Sequence, residues 1–368
     1  MVPFDSRRCP ACGAPNSCAM ATAAGAADAT APCWCRDVSI DPRTLAALPA
    51  AARGVACLCR ACATGRMPAA RDNDGDVRCN APMPCLPPGV TLTKDPGGRD
   101  ALQLTGAGGT VLVAMCGAQV LSWRVASGDV LWTASRGEFT AGKAVRGGIP
   151  LVFPWLGNHP HDRTLPAHGV VRTLDWRFVR AAATPEVVLE TNDTEHTRRL
   201  WPHAFHCELT VRVADGLDLT WTTTNTDDVP LRFEEALHSY FAVGDVLTAS
   251  VHGLEGVACT ETASEPEPAW DPHAPLRFRA ETDRIFHGVG DHLELDAPAL
   301  SRRVQLHTTH AHSTIVWNPW PAKGDRMTQM APGDWRRFCC VETANVREHA
   351  VTLGPGERHT LRLVLRCD

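Results

Sequence analysis

Tyrosine occurs once in this 368-residue chain, at Tyr240, and lysine only three times, at Lys94, Lys143 and Lys323. Histidine is missing from everything before His159. No apolar run approaches the roughly 20 residues of a membrane span, so no transmembrane helix is expected. The polar start with Arg7-Arg8-Cys9 does not read as a secretion signal, which points to a reducing, cytoplasmic setting. A net charge of −5 with no basic stripe argues against nucleic acid as a partner. No sequence repeat of fixed period appears, which disfavours a propeller. Beyond residue 90 there is also no long stretch of helical periodicity. The shortage of lysine carries no functional reading.

What is present divides the chain in two. Ten of the 16 cysteines lie within the first 85 residues, and all 16 histidines lie at or beyond His159. Cys9, Cys12, Cys33, Cys35, Cys57, Cys59 and Cys62 form close pairs that offer thiolates at metal-binding spacing. With no histidine nearby, a structural zinc ion there would be held by cysteine alone. Disulfides and plain reduced thiols are the alternatives, and a reducing compartment disfavours the first. Between the clusters, "DPRTLAALPAAAR" reads as one short helix, with Asp41 as cap and Pro42 in the first turn. Three segments follow from composition: a cysteine-rich domain over 1–65, a Pro/Gly/Asp-rich linker over 66–89, and a large domain over 90–368.

The large domain reads as all-β. "CELTVRVADGLDLTWTTT" alternates apolar and polar residues on both sides of Asp215-Gly216, a strong hairpin signal. "GTVLVAMCGAQVLSWRV" gives another strand pair, and "HAVTLGPGERHTLRLVL" repeats the pattern around a Gly-Pro-Gly turn. A large antiparallel sandwich is expected.

Four stretches carry chemistry. "RGGIPLVFPWLGNHPHDRTLPAHGVVRTLDW" gathers Arg146, His168 and Arg172 near a Gly-Gly-Ile-Pro turn. "EEALHSYFAVGDV" holds His238 beside the lone tyrosine, and "STIVWNPWPAKGD" runs a strand into a Trp-Asn-Pro-Trp turn. "WRRFCCVETANV" sets Glu342 behind four apolar residues, where an unpaired carboxylate is rare. Any one histidine taken singly reads first as a satisfied structural residue. Histidines, an apolar-flanked glutamate and arginines together point to acid–base work on a polyol.

The same motifs carry two resemblances. Residues 7 to 63, with "CPACGAPNSC", Cys33-Trp34-Cys35 and "ACLCRACA", resemble the cysteine-rich CWC family, which brings no assigned activity. Residues from about 90 to 366 resemble the aldose 1-epimerase superfamily, and more closely its hexose-6-phosphate mutarotase (glucose-6-phosphate 1-epimerase) branch. That match runs in order through "RGGIPLVFPWLG", "PAHGVVRT", "ALHSYFAVGD", "GLEG", "ETDRIF", "VWNPW" and "CCVETANV". It implies a galactose-mutarotase-like antiparallel β-supersandwich and an isomerase that exchanges α and β anomers without a cofactor. It further implies His238 as general acid, Glu342 as general base, His168 as helper, and Arg146 as a phosphate ligand. Arg172 stands four residues after His168 and suits the same phosphate, while Asp283 is carried over as a sugar-hydroxyl ligand. Trp320, with Trp317, suits the apolar face of a sugar ring, core packing being the alternative for Trp317. One departure is that Val257-Ala258-Cys259-Thr260 follows "GLEG" where the family has an aromatic residue. The expected partner is a small sugar or sugar phosphate, with no membrane or nucleic acid, and the expected state is a monomer. An aldose 1-epimerase of unphosphorylated sugars, a non-catalytic carbohydrate-binding protein and a zinc-dependent regulator are the competing readings.

Overall fold

The computed structural model describes residues 86–368, except 135–138, 140–142 and 183, together with Cys9, Val38, Ile40, Leu58 and Arg60–Ala63. The chain divides into two compact units, Met1–Cys85 and Leu86–Asp368. In the first, Cys9, Leu58, Cys62 and Ala63 are buried in one cluster flanked by Val38 and Ile40. Cys12, Cys33, Cys35, Cys57, Cys59 and the helix expected over 41–53 lie outside the described residues.

The second unit is built almost wholly of antiparallel strands, with a nine-stranded sheet, a seven-stranded sheet, a five-stranded sheet and a two-stranded ribbon. Its described α-helices are short, Glu195–Leu200 and Trp320–Gly324. The hairpin around Asp215-Gly216 forms as its pattern predicts, with Phe205–Val213 against Leu217–Asn225. Alternate residues on both strands are buried, so one face of the nine-stranded sheet is apolar. The face packs on the seven-stranded sheet through Phe153, which follows the short strand Leu151–Val152 of that sheet. Its ring lies 5.1 Å from that of Phe205 and 6.2 Å from that of Trp221. The arrangement is the β-supersandwich expected for this part of the chain.

One expected hairpin does not form. The strands flanking Gly354-Pro355-Gly356 do not pair with each other. Val351–Leu353 joins Leu231–Phe233 in the two-stranded ribbon, and Arg358–Cys367 enters the nine-stranded sheet between Leu217–Asn225 and Arg302–Thr309. The turn closes on itself through Glu357 N–H to Gly354 O, and its other backbone hydrogen bonds go to Asn225, which receives Gly356 N–H and donates its own N–H to Glu357 O. Turn chemistry specifies a reversal, and the partner of each strand is set by the faces available for burial.

Candidate active site

The strand Phe338–Asn345 runs through the seven-stranded sheet with all eight residues buried. Side chains alternate across it, so Phe338, Cys340, Glu342 and Ala344 share one face. Phe338 and Cys340 pack with Trp132, Tyr240 and Trp317, while Ala344 packs with Val152, Ile285 and Ile315. Glu342 therefore stands as a carboxylate between two apolar clusters.

Its partner arrives by strand register. Glu235 pairs with Asn345, Leu237 with Thr343, and Tyr240 with Cys340, so the sum of partner numbers is constant and His238 falls opposite Glu342. Opposed residues on one face of a sheet lie about 5 Å apart at Cβ, near enough for their side chains to meet. His238 Nε2 lies 3.3 Å from Glu342 Oε1. Tyr240, two residues further on the same face, stacks on the His238 ring at 4.8 Å with 6° between planes. The main chain holds the imidazole in place as well, because His238 N–H donates to Pro150 O.

Arg146 and His168 reach this pair from turns that demand glycine. Gly147 and Gly148 have φ of 119° and 61°, and an added Cβ would lie 2.3 Å from Thr133 Cα and 2.0 Å from Val120 O. The Gln119 amide locks that turn by donating to Val145 O and Gly147 O. Arg146 Nη1 then donates to Tyr240 Oη at 3.3 Å. His168 itself has a left-handed φ of 62°, and its ring lies 5.3 Å from that of His238. Its Nδ1 accepts from Gly157 N–H, which leaves the proton of the neutral ring on Nε2. Arg172, in the short 3-10 turn Val171–Thr173, donates from Nη2 to Ala167 O at 2.6 Å.

Electrostatics follow from this packing. Burial, then Arg172 and Arg146, push His168 down to about 3. Burial, then His168, Arg172 and Arg146, hold His238 well below the usual imidazole value. Burial and the nearby Asp283 carboxylate raise Glu342 well above the usual carboxylate range. Both members of the His238–Glu342 contact thus favour their neutral forms, and the pair shares one proton rather than forming an ion pair. Glu342 Oε2 and His238 Nδ1 are buried without a hydrogen-bond partner. The same holds for Nε of Arg146 and Nε of Arg172, and among the described residues neither guanidinium is paired with a carboxylate. Two adjacent, half-buried cations without an anion are costly unless an anionic ligand completes them.

The constellation thus contains His238, Glu342, His168, Arg146 and Arg172. Asp283 lies opposite Trp317 in register, close enough to act on Glu342, and burial raises its own carboxyl. Trp317 is largely core, packed with Tyr240 and Phe338. The Trp320 ring packs at a tilt of 53° against that of Trp335 at 5.0 Å, and no described contact ties it to the acid–base pair. Lys323 is engaged by Glu281 at 2.7 Å.

Two features escaped the reading of the sequence. Tyr240 forms the wall behind His238, and its position two residues along the strand was the available signal. Behind the site, the buried Glu235 carboxylate accepts from Asn345 Nδ2 at 2.9 Å and meets His359 Nε2 at 2.9 Å. Glu235 follows Glu234 in the sequence and, like Glu342, finds its partners more than 100 residues away.

Known proteins agree with this architecture. A protein of Cenchrus ciliaris described as "putative glucose-6-phosphate 1-epimerase" is 30% identical over 292 residues, covering 76% of this chain and 88% of the relative. One of the same description from Escherichia coli is 31% identical, covering 64% and 79%. A solved structure of a "putative mutarotase" from Salmonella typhimurium superposes with a TM-score of 0.67 at 23% identity, covering 82% of this chain and 96% of that one. The cysteine-rich CWC model matches residues 9–64. The aldose 1-epimerase model matches residues 100–366, and the chain accordingly belongs to the aldose 1-epimerase family of isomerases.

Proposed function

We propose that this isomerase interconverts the α and β anomers of a hexose 6-phosphate. Glu342 is the general base, His238 the general acid and His168 the polar neighbour of the reacting oxygens. Arg146 and Arg172 hold the phosphate, and Asp283 and Trp320 flank the sugar. The observation that carries this reading is the pair of half-buried guanidiniums that meet no carboxylate among the described residues, beside a His–Glu pair. Two guanidinium forks suit a dianion, and the phosphate of the substrate named for the relatives is one.

The chemistry follows from the shared proton. In the reactive state the proton rests on His238 and Glu342 is anionic. Glu342 takes the proton of the anomeric hydroxyl, the C1–O5 bond breaks, and its electron pair goes to the ring oxygen, which receives the proton from His238. Both residues are then neutral, which is the state that burial favours. The ion pair that burial disfavours is thus discharged as the ring opens, which returns the pair to its resting protonation state. Rotation about C1–C2 and the reverse transfers close the other anomer. Each transfer supplies on the order of 10²–10⁴-fold. Acid and base must lie close together because O1 and O5 share a carbon, and the 3.3 Å contact meets that need.

We assign activity to the monomer. Charged sugar phosphates are held inside cells, so we assign it to the cytoplasm. For the cysteine-rich unit we retain zinc bound by cysteines, since Cys9 and Cys62, far apart in sequence, are buried in one cluster. Anomer exchange by NMR on glucose 6-phosphate, galactose 6-phosphate, glucose and galactose tests the substrate class. Faster exchange of the phosphorylated sugars is expected. Equal rates would move the assignment to unphosphorylated aldoses, and no exchange at all would leave a carbohydrate-binding protein.

A further inference from the structure

Away from the acid–base pair, the seven-stranded sheet ends in a second cluster of imidazoles. His287 closes the strand Thr282–His287, and Glu348 and His349 lie in the 3-10 turn Arg347–His349 that follows the Glu342 strand. One donor atom from each of His287, Glu348 and His349 lies within 4.8 Å of the others. We propose that these three residues bind a divalent transition-metal ion, with zinc the ion their donor set suits best.

An ordinary His–Glu ion pair is the competing account, and the geometry speaks against it. His287 Nδ1 lies 2.8 Å from Glu348 Oε1, yet this buried nitrogen has no contact of hydrogen-bond geometry. The carboxylate thus stands close but off the axis on which an N–H would point. Two ligands of one ion are arranged in that way, flanking it instead of facing each other. The other nitrogen, Nε2, is 2.9 Å from Thr260 Oγ1. A hydrogen bond to the far nitrogen is what orients a metal-binding imidazole and fixes the lone pair on the near one.

The surroundings fit an ion of this kind. Two neutral imidazoles and a carboxylate are a donor set that zinc accepts, with metal–ligand bonds of about 2.0–2.2 Å. Tetrahedral binding needs donor atoms about 3.3 Å apart, so side-chain rotation of His349 and Glu348 must close the present spacing. Both can rotate, since Glu348 is 57% exposed and His349 half-buried, whereas His287 is only 13% exposed and supplies the fixed wall. His312 lies beside them, its ring 5.8 Å from that of His349. Its main chain is fixed by Ala344 O and Asn345 Oδ1, so its imidazole is the candidate for a fourth ligand. An ion here would clip the exit of the Glu342 strand to the end of the Asp283 strand.

Cobalt(II) titration of the full-length protein tests this. Cobalt in a nitrogen and oxygen site gives visible d–d bands without the near-ultraviolet charge-transfer band of thiolate ligation. The two kinds of site in this chain are therefore separated spectrally. The expected result is a thiolate-free component that disappears in Glu348→Ala and His349→Ala, with one fewer zinc per chain by elemental analysis. Thr260→Val should weaken it by about 10–100-fold. Glu348 is exposed, so its variant folds whatever becomes of the others. A cobalt spectrum and zinc content identical in wild type and Glu348→Ala would overturn the proposal and leave a plain ion pair.

Discussion

Replacing Arg146 with alanine separates phosphate recognition from chemistry. The side chain makes the hydrogen bond to Tyr240 Oη and keeps a buried Nε without a hydrogen-bond partner among the described residues. If a 6-phosphate takes that Nε and the neighbouring nitrogen, the variant loses a charge-assisted fork from a half-buried site. Such a loss costs about 2–3 kcal/mol, or roughly 30- to 150-fold in kcat/KM. The phosphate is remote from C1, so the loss should fall mostly on KM. Free glucose should lose much less. Arg146 also helps hold His238 and His168 low, so its removal should shift the acid limb for free glucose to higher pH. Arg146→Lys should recover only part of the affinity, because an ammonium keeps the charge and not the fork. Progress curves of anomer exchange on both sugars over a pH series would measure all three effects. An equal loss on glucose and glucose 6-phosphate would refute the reasoning and make Arg146 structural.

Three further outcomes are expected. With free glucose, kcat/KM should stay level through the ordinary histidine pKa of about 6.5, because a second proton reaches the His238–Glu342 pair only at lower pH. The alkaline limb should lie above the ordinary carboxylate range, since Glu342 is raised. An acid limb at the ordinary histidine value would contradict the shared-proton pair. Asn345→Ala removes donors to the Glu235 carboxylate and to His310 O, and should cost about 1–3 kcal/mol in urea unfolding; a loss under about half a kcal/mol would show that His359 suffices. Deleting residues 1–85 should leave anomer exchange intact while removing cysteine-bound zinc, and loss of activity would count against an independent unit.

How far the sequence could be read depended on the range of each interaction. The Phe205–Asn225 hairpin was readable because turn chemistry and alternation coincide within a few residues. The C-terminal reversal was read correctly as a turn and wrongly as a hairpin, since Val351–Leu353 finds its partner at Leu231–Phe233. His238 and Glu342 were singled out by residue type and by family motif. Their opposition rests on a register between strands more than 100 residues apart, which no local pattern displays. The same distance concealed the Glu235–Asn345–His359 network. That Arg146 and Arg172 meet no carboxylate among the described residues is a fact of three dimensions, whereas the Gly147-Gly148 turn that aims Arg146 was visible as a motif. The Trp-Asn-Pro-Trp turn left Trp317 open between a sugar ring and the core, and Trp317 is mostly core, while Trp320 packs at a tilt against Trp335.

The central claim is that Glu342 moves the anomeric proton, and Glu342→Gln tests it most directly. The amide keeps the volume of a side chain that is only 2% exposed, but has no basic oxygen. Two-dimensional exchange NMR on glucose 6-phosphate should show the α and β signals interconverting at the uncatalysed rate, with an unchanged unfolding transition. Exchange near the wild-type rate in that variant would contradict the account.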